Sequence, residues 1–113
     1  MIKRIFWIFI LTLLLVFINP VYSLDNSFKT IDKYTKRISN KFTRTYCNTS
    51  QFGISSDGAL SFAIGETNKE FKNNKLNKLI DYSLLKNSIA NDLENKCEVY
   101  DFPINSLEKL DFD

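Results

Sequence analysis

Two cysteines, Cys47 and Cys97, carry the most distinctive chemistry in this 113-residue sequence. Neither sits in a Cys-x-x-Cys pair, and no neighbouring charge pattern marks either as a low-pKa thiol. Three readings stay open: a structural disulfide, a redox switch in which reduction loosens the fold, or two buried free thiols. As a staple, the pair closes a loop of about 50 residues, which contributes about 4 kcal/mol on a chain-entropy estimate. Glu66 and Glu70, one helical turn apart and downstream of Asp57, can in principle share acid–base work or hold calcium. They lack the separation across a cleft that glycoside hydrolysis needs and the dense oxygen loop that calcium needs. They read as a solvated charged face with Lys69 and Lys72. Ser55-Ser56-Asp57-Gly58 can present a hydroxyl nucleophile, but the sequence has no histidine. A serine nucleophile here would need a lysine base, and nothing places one beside it. Helix capping is the reading adopted.

Absent residue types narrow the chemistry further. Without histidine, His-ligated zinc, copper and haem drop out, as does imidazole general-base catalysis. Trp7 is the only tryptophan and Met1 the only methionine. No catalytic residues, metal ligands or cofactor are assigned from the sequence, and the chain is not read as an enzyme. Asn48-Thr49-Ser50 matches a glycosylation sequon, a short and unspecific pattern.

The remaining constellation is basic. Lys29, Lys33, Lys36, Arg37, Lys41 and Arg44 fall on one side of a helical projection, opposite a stripe of apolar residues. They are assigned as a partner-binding face, for an acidic protein or an anionic membrane surface; the plainer reading is a solvated helix face. Charge is unevenly spread along the chain. Residues 24–53 carry six basic and two acidic groups, whereas residues 90–113 carry seven acidic and two basic.

Elements must position these groups. Leu24, Phe28, Ile31, Tyr34, Ile38, Phe42 and Tyr46 recur every three to four residues and predict a long helix over about 27–51. Asp25, Asn26 or Ser27 caps its start, and Gly53 with Ile54 ends it. A second helix starts at Ser55 or Ser56, with Leu60, Ala63, Ile64, Thr67 and Phe71 inside. Its small residues, Gly58 and Gly65 included, imply close approach of another helix. Leu76, Leu79 and Ile80 predict one short turn. Asp81 caps a last helix over about 82–97, whose stripe Leu85, Ile89, Leu93 and Cys97 points the sulfur inward. Val99 to Ile104, with Pro103, reads as an extended strap. Residues 105–113 read as a mobile acidic tail, with one helical turn at Ser106–Lys109. The aromatics Phe28, Phe42, Phe52, Phe62 and Phe71 read as core; the alternative is a carrier of a small apolar ligand between helices.

The first 23 residues set the compartment. Met1-Ile2-Lys3-Arg4 is positive, Ile5 to Ile18 is apolar except Thr12, and Asn19-Pro20 ends that helix. Val21-Tyr22-Ser23 then offers an acceptable cleavage site, so the segment reads as a secretory signal peptide. An uncleaved anchor is the alternative, although the run is shorter than the roughly 20 residues a spanning helix needs. Cleavage after Ser23 leaves 90 of the 113 residues, without Trp, Met or His. Losing Lys3 and Arg4 reduces the 15 basic residues to 13, which balances the 13 acidic ones. A neutral domain is a poor general nucleic-acid binder. An even cysteine count in an exported chain favours the disulfide.

Tyr46-Cys47, Gly53-Ile54-Ser55, the run Ala59 to Glu66, Lys69-Glu70-Phe71 and the late Cys97 resemble small exported proteins of cyanobacteria and plastids. The resemblance spans residues 42–97. It implies export to the periplasm or thylakoid lumen and association with photosynthetic membranes, and it brings no catalytic residues. The organisation expected is a signal peptide over 1–23, a helical domain over 24–104 and an acidic tail over 105–113. The expected fold is all-α, a small three- to four-helix bundle with one intramolecular disulfide, preceded by a signal peptide. The expected role is a non-catalytic accessory protein that docks on a membrane complex or protein partner.

Overall fold

A computed structural model describes the backbone of residues 2–112 and the side chains of residues 2–13 and 28–112. The chain is all-helical: α1 (Ile2–Gln51), α2 (Ser56–Phe71), a 3-10 turn (Lys75–Leu79), α3 (Tyr82–Cys97) and a second 3-10 turn (Ile104–Lys109). It divides into two units, residues 1–32 and 33–113.

In the first unit, the described helix from Ile2 exposes large apolar side chains, among them Ile2, Phe6, Trp7 and Phe9. Thr12 Oγ1 donates to its own helix's carbonyls at Ile8 and Phe9, 2.9 Å away in each case. A polar side chain in an apolar run is thus satisfied locally. No helix is long and apolar enough to cross a membrane among the described residues. Helix α1 runs through Asn19 and Pro20, which corrects the expected stop there and the expected start near residue 27. Proline's fixed φ suits a helix; its penalty is a lost hydrogen bond and crowding, about 3 kcal/mol in a helix interior. The side chains of the expected cleavage site, Val21-Tyr22-Ser23, and of the expected cap, Asp25 to Ser27, lie outside the described residues, as do Met1 and Asp113.

The second unit is a bundle in which α1 from Lys33 onward packs against both α2 and α3. Tyr34, Ile38, Phe42 and Tyr46 form its buried stripe, none more than 5% exposed. To one side, Ser39 and Cys47 face α3: Ser39 Oγ donates to Asp92 Oδ2 (2.6 Å), and Cys47 is bonded to Cys97. To the other side, Arg37 lies over the Phe71 ring of α2, 5.9 Å from its centroid, and Lys41 Nζ is 3.7 Å from Glu70 Oε2.

Local signals explain the boundaries. Gly53 closes α1 at φ 84°, the left-handed conformation that suits glycine. Ser55 caps α2 by accepting from the Gly58 N–H (3.2 Å). Asp81 caps α3, accepting from Ser83 (3.0 Å) and Leu84 (3.3 Å). Leu85, Ile89 and Leu93 are fully buried, as their spacing predicts, while Cys97 is half-buried.

Other expectations need correction. Ala59 and Ala63, not the glycines, carry the buried small face of α2; Leu60 is only half-buried. A Cβ on Gly58 would meet its own neighbour Ile54 at 2.9 Å, and one on Gly65 would meet nothing, so no helix approaches through either glycine. The tail is not a mobile acidic appendage: Leu107, Leu110 and Phe112 are core residues, at 0%, 5% and 0% exposure. Apolar residues spaced between the acids fold the segment back under α2. Asn68 Nδ2 donates to Lys109 O (3.1 Å), and Asp111 N donates to Asn68 Oδ1 (2.9 Å). Residues 105–112 therefore belong to the same packed unit as the helices.

Candidate docking site

Buried polar groups explain much of what does not reach the surface. Asn77 sits in the 3-10 turn after α2 and is buried. Its Oδ1 accepts from Tyr34 Oη (2.6 Å), and its Nδ2 donates to Phe71 O (2.9 Å) and Phe112 O (3.3 Å). One amide thereby ties α1, α2 and the C-terminal segment together. Burial raises the Tyr34 phenol above its ordinary value of 10.0; the Arg37 guanidinium pulls it down and Tyr82 pushes it up. Ser39, Ser88 and Asp92 form a second cluster, with Ser88 Oγ donating to Ser39 Oγ (3.3 Å). Sequence periodicity gives no sign of it. Ser39 is fully buried, so this hydroxyl cannot meet a substrate and serves to satisfy the α1–α3 contact.

The cysteines meet as expected, with sulfurs 2.09 Å apart and Cα atoms 5.9 Å apart. They border a small polar crevice with Ser50, Gln51 and Asn95. Among the described residues no group of three His, Cys, Asp or Glu side chains gathers to hold a metal.

The six basic residues do not form one uniform face. Lys29 lies in the first unit and is exposed. In the second, Lys33, Lys36 and Arg44 are exposed, and Lys96 of α3 reaches across to donate to Asn40 Oδ1 (2.9 Å) between them. Arg37, also exposed, and the half-buried Lys41 lean toward α2, against Phe71 and Glu70. A helical projection assigns angle but not which neighbour stands at the edge of the stripe, so it could not separate these two from the rest.

Beside Lys41 and Arg44 lies a feature the sequence reading assigned to the core. Phe52, Ile54 and Phe62 are 86%, 50% and 52% exposed. They line an open groove of about 700 Å³ between the last turns of α1 and the first half of α2. Phe28 is also exposed, so of the five phenylalanines read as core only Phe42 and Phe71 are buried. The groove floor is apolar because Thr45 and Thr49 donate their hydroxyls to Lys41 O (2.8 Å) and Thr45 O (2.6 Å) of their own helix. Its polar groups are Lys41, Arg44, Asn48 and Glu66. Asn48, the sequon residue, thus stands on the last turns of a helix. The signal that could have revealed the groove was local: Phe52 and Ile54 flank Gly53 in the turn between two helices, where neither helix can cover them.

No protein-family model, curated protein or solved structure matches the chain.

Proposed function

We propose that the chain is an exported, non-catalytic accessory protein that docks on an acidic protein partner within a membrane-associated complex. The observation that carries this reading is the pairing of uncovered apolar side chains, Phe52, Ile54 and Phe62, with the cations Lys41 and Arg44 on one side of the second unit. Large apolar groups left in water mark interaction surfaces more often than folding necessity. Lys33 and Lys36 extend the positive field along α1 and steer an anionic partner. Residues 1–23 act as the export signal in this reading, and the compartment is the periplasm or thylakoid lumen; retention of the segment as an anchor is the alternative. The disulfide suits an oxidising compartment. A redox-responsive role has one observation in its favour, the half-buried Cys97 at the edge of a polar crevice.

The test is the native size of the chain in gently solubilised membranes, before and after a high-salt wash, for the natural sequence and for Lys33→Glu/Lys36→Glu. The expected result is migration with a larger complex, released by salt and weakened by charge reversal. Migration at monomer size under all conditions contradicts docking.

A further inference from the structure

We infer that the groove between α1 and α2 takes an amphipathic helix of the partner, one whose apolar face ends in an acidic residue. The inference rests on the docking reading and names the partner's chemistry.

The groove has a direction. Along α1 it is lined from Lys41 and Arg44 to Phe52, a run of about 16 Å at the helical rise. Along α2 it is lined by Gly58, Phe62 and Glu66, four residues apart and so on one side of the helix. The Lys41–Glu70 contact shows that the two helices run antiparallel, so charge gathers at one end and apolar surface at the turn end. A span of this length matches about three helical turns. Two antiparallel helices with an apolar furrow between them form the seat that helix-in-groove recognition uses, read as anchors at i, i+4 and i+7. Phe62, Ile54 and Phe52 would receive those anchors. Arg44 forms no ion pair among the described residues and is free to take a carboxylate from the partner at the charged end.

The openness of the groove decides against an acyl chain. A small-ligand site buries most of its ligand, whereas Phe52 stands 86% exposed at a groove open to solvent. An acyl chain there would keep one side in water; an amphipathic helix turns its polar side outward.

The test is a display library of random 16-residue peptides panned against the disulfide-bonded full chain, with Phe62→Ser and Arg44→Glu as counter-targets. Both side chains are exposed, so both variants should keep the fold, which circular dichroism verifies. The expected outcome is enrichment of peptides with apolar residues at helical spacing and a terminal Asp or Glu. These should bind Phe62→Ser and Arg44→Glu at least about tenfold more weakly. Absence of enrichment, enrichment of basic or non-periodic peptides, or equal binding to Phe62→Ser overturns the inference. So does displacement of the peptides by phosphatidylglycerol vesicles that themselves perturb the Phe62 ring resonances, which would assign the groove to lipid. Failure is separable from failure of the docking reading. If charge reversal at Lys33 and Lys36 releases the complex while Phe62→Ser does not, the groove assignment falls and docking stands.

Discussion

The two ends of the α1–α2 pair receive opposite treatment. At the far end, Phe71 is buried, in edge contact with Tyr34 (centroids 5.6 Å apart) and Phe112 (6.2 Å), beneath the Arg37 guanidinium. Tyr82 stacks on Phe112 at 6.0 Å, and Asn77 satisfies two carbonyls and a phenol there. At the turn end, Phe52 and Phe62 face water in a groove that Lys41, Arg44, Asn48 and Glu66 also line. The same residue type does different work at each end because the C-terminal segment returns to cover one and not the other. Where the chain supplies a cover, aromatics hold the fold; where it does not, they are available to another molecule.

The sharpest way to break this contrast is to remove the cover. Phe112→Ala should cost about 3–5 kcal/mol, as for a fully buried phenylalanine elsewhere. The measurement is thermal unfolding followed by circular dichroism, and a shift smaller than that of an average surface substitution would mean the C-terminal segment is peripheral after all. Reduction of Cys47–Cys97 should cost up to about 4 kcal/mol, read from urea unfolding with and without reductant. That staple joins α1 to α3 and neither cysteine lines the groove, so the groove should persist in any reduced chain that remains folded.

A smaller effect follows from Tyr34. Its folded-state pKa lies above its unfolded value, so the neutral phenol is the form the fold favours. The contribution is fully present below about pH 10 and is lost as pH rises through the raised folded value. Stability of the natural chain should therefore fall in strong alkali, where a phenolate would face the Asn77 carbonyl oxygen. Tyr34→Phe should lose about 1–3 kcal/mol at neutral pH by leaving that oxygen unpaired, and should show a shallower alkaline decline. An identical alkaline profile in both chains would remove Tyr34 as the titrating group.

Much of the helical framework was legible in the sequence. The spacing of Tyr34, Ile38, Phe42 and Tyr46, the capping residues Ser55 and Asp81, Gly53 at the helix end, and the stripe from Leu85 to Cys97 all report local geometry, which sequence encodes directly. Three things were not. The acids between Leu107, Leu110 and Phe112 made the last residues look solvated, although three apolar residues sufficed to draw them into the core. Phe52 and Phe62 looked like core because aromatic residues usually are. For Phe62 exposure depends on which neighbour stands nearby, a tertiary fact with no local signature, whereas Phe52 had a local one in the Gly53 turn beside it. The basic stripe was visible, but the turning of Arg37 and Lys41 toward α2 was not.

The most direct measurement is Phe62→Ser, scored for stability and docking together. The account predicts a change in stability within about 0.5 kcal/mol, as for an exposed site, alongside loss of the chain from its larger complex. A large fall in stability, or full retention in the complex, would contradict the division of the molecule into a closed end that holds the fold and an open end that binds.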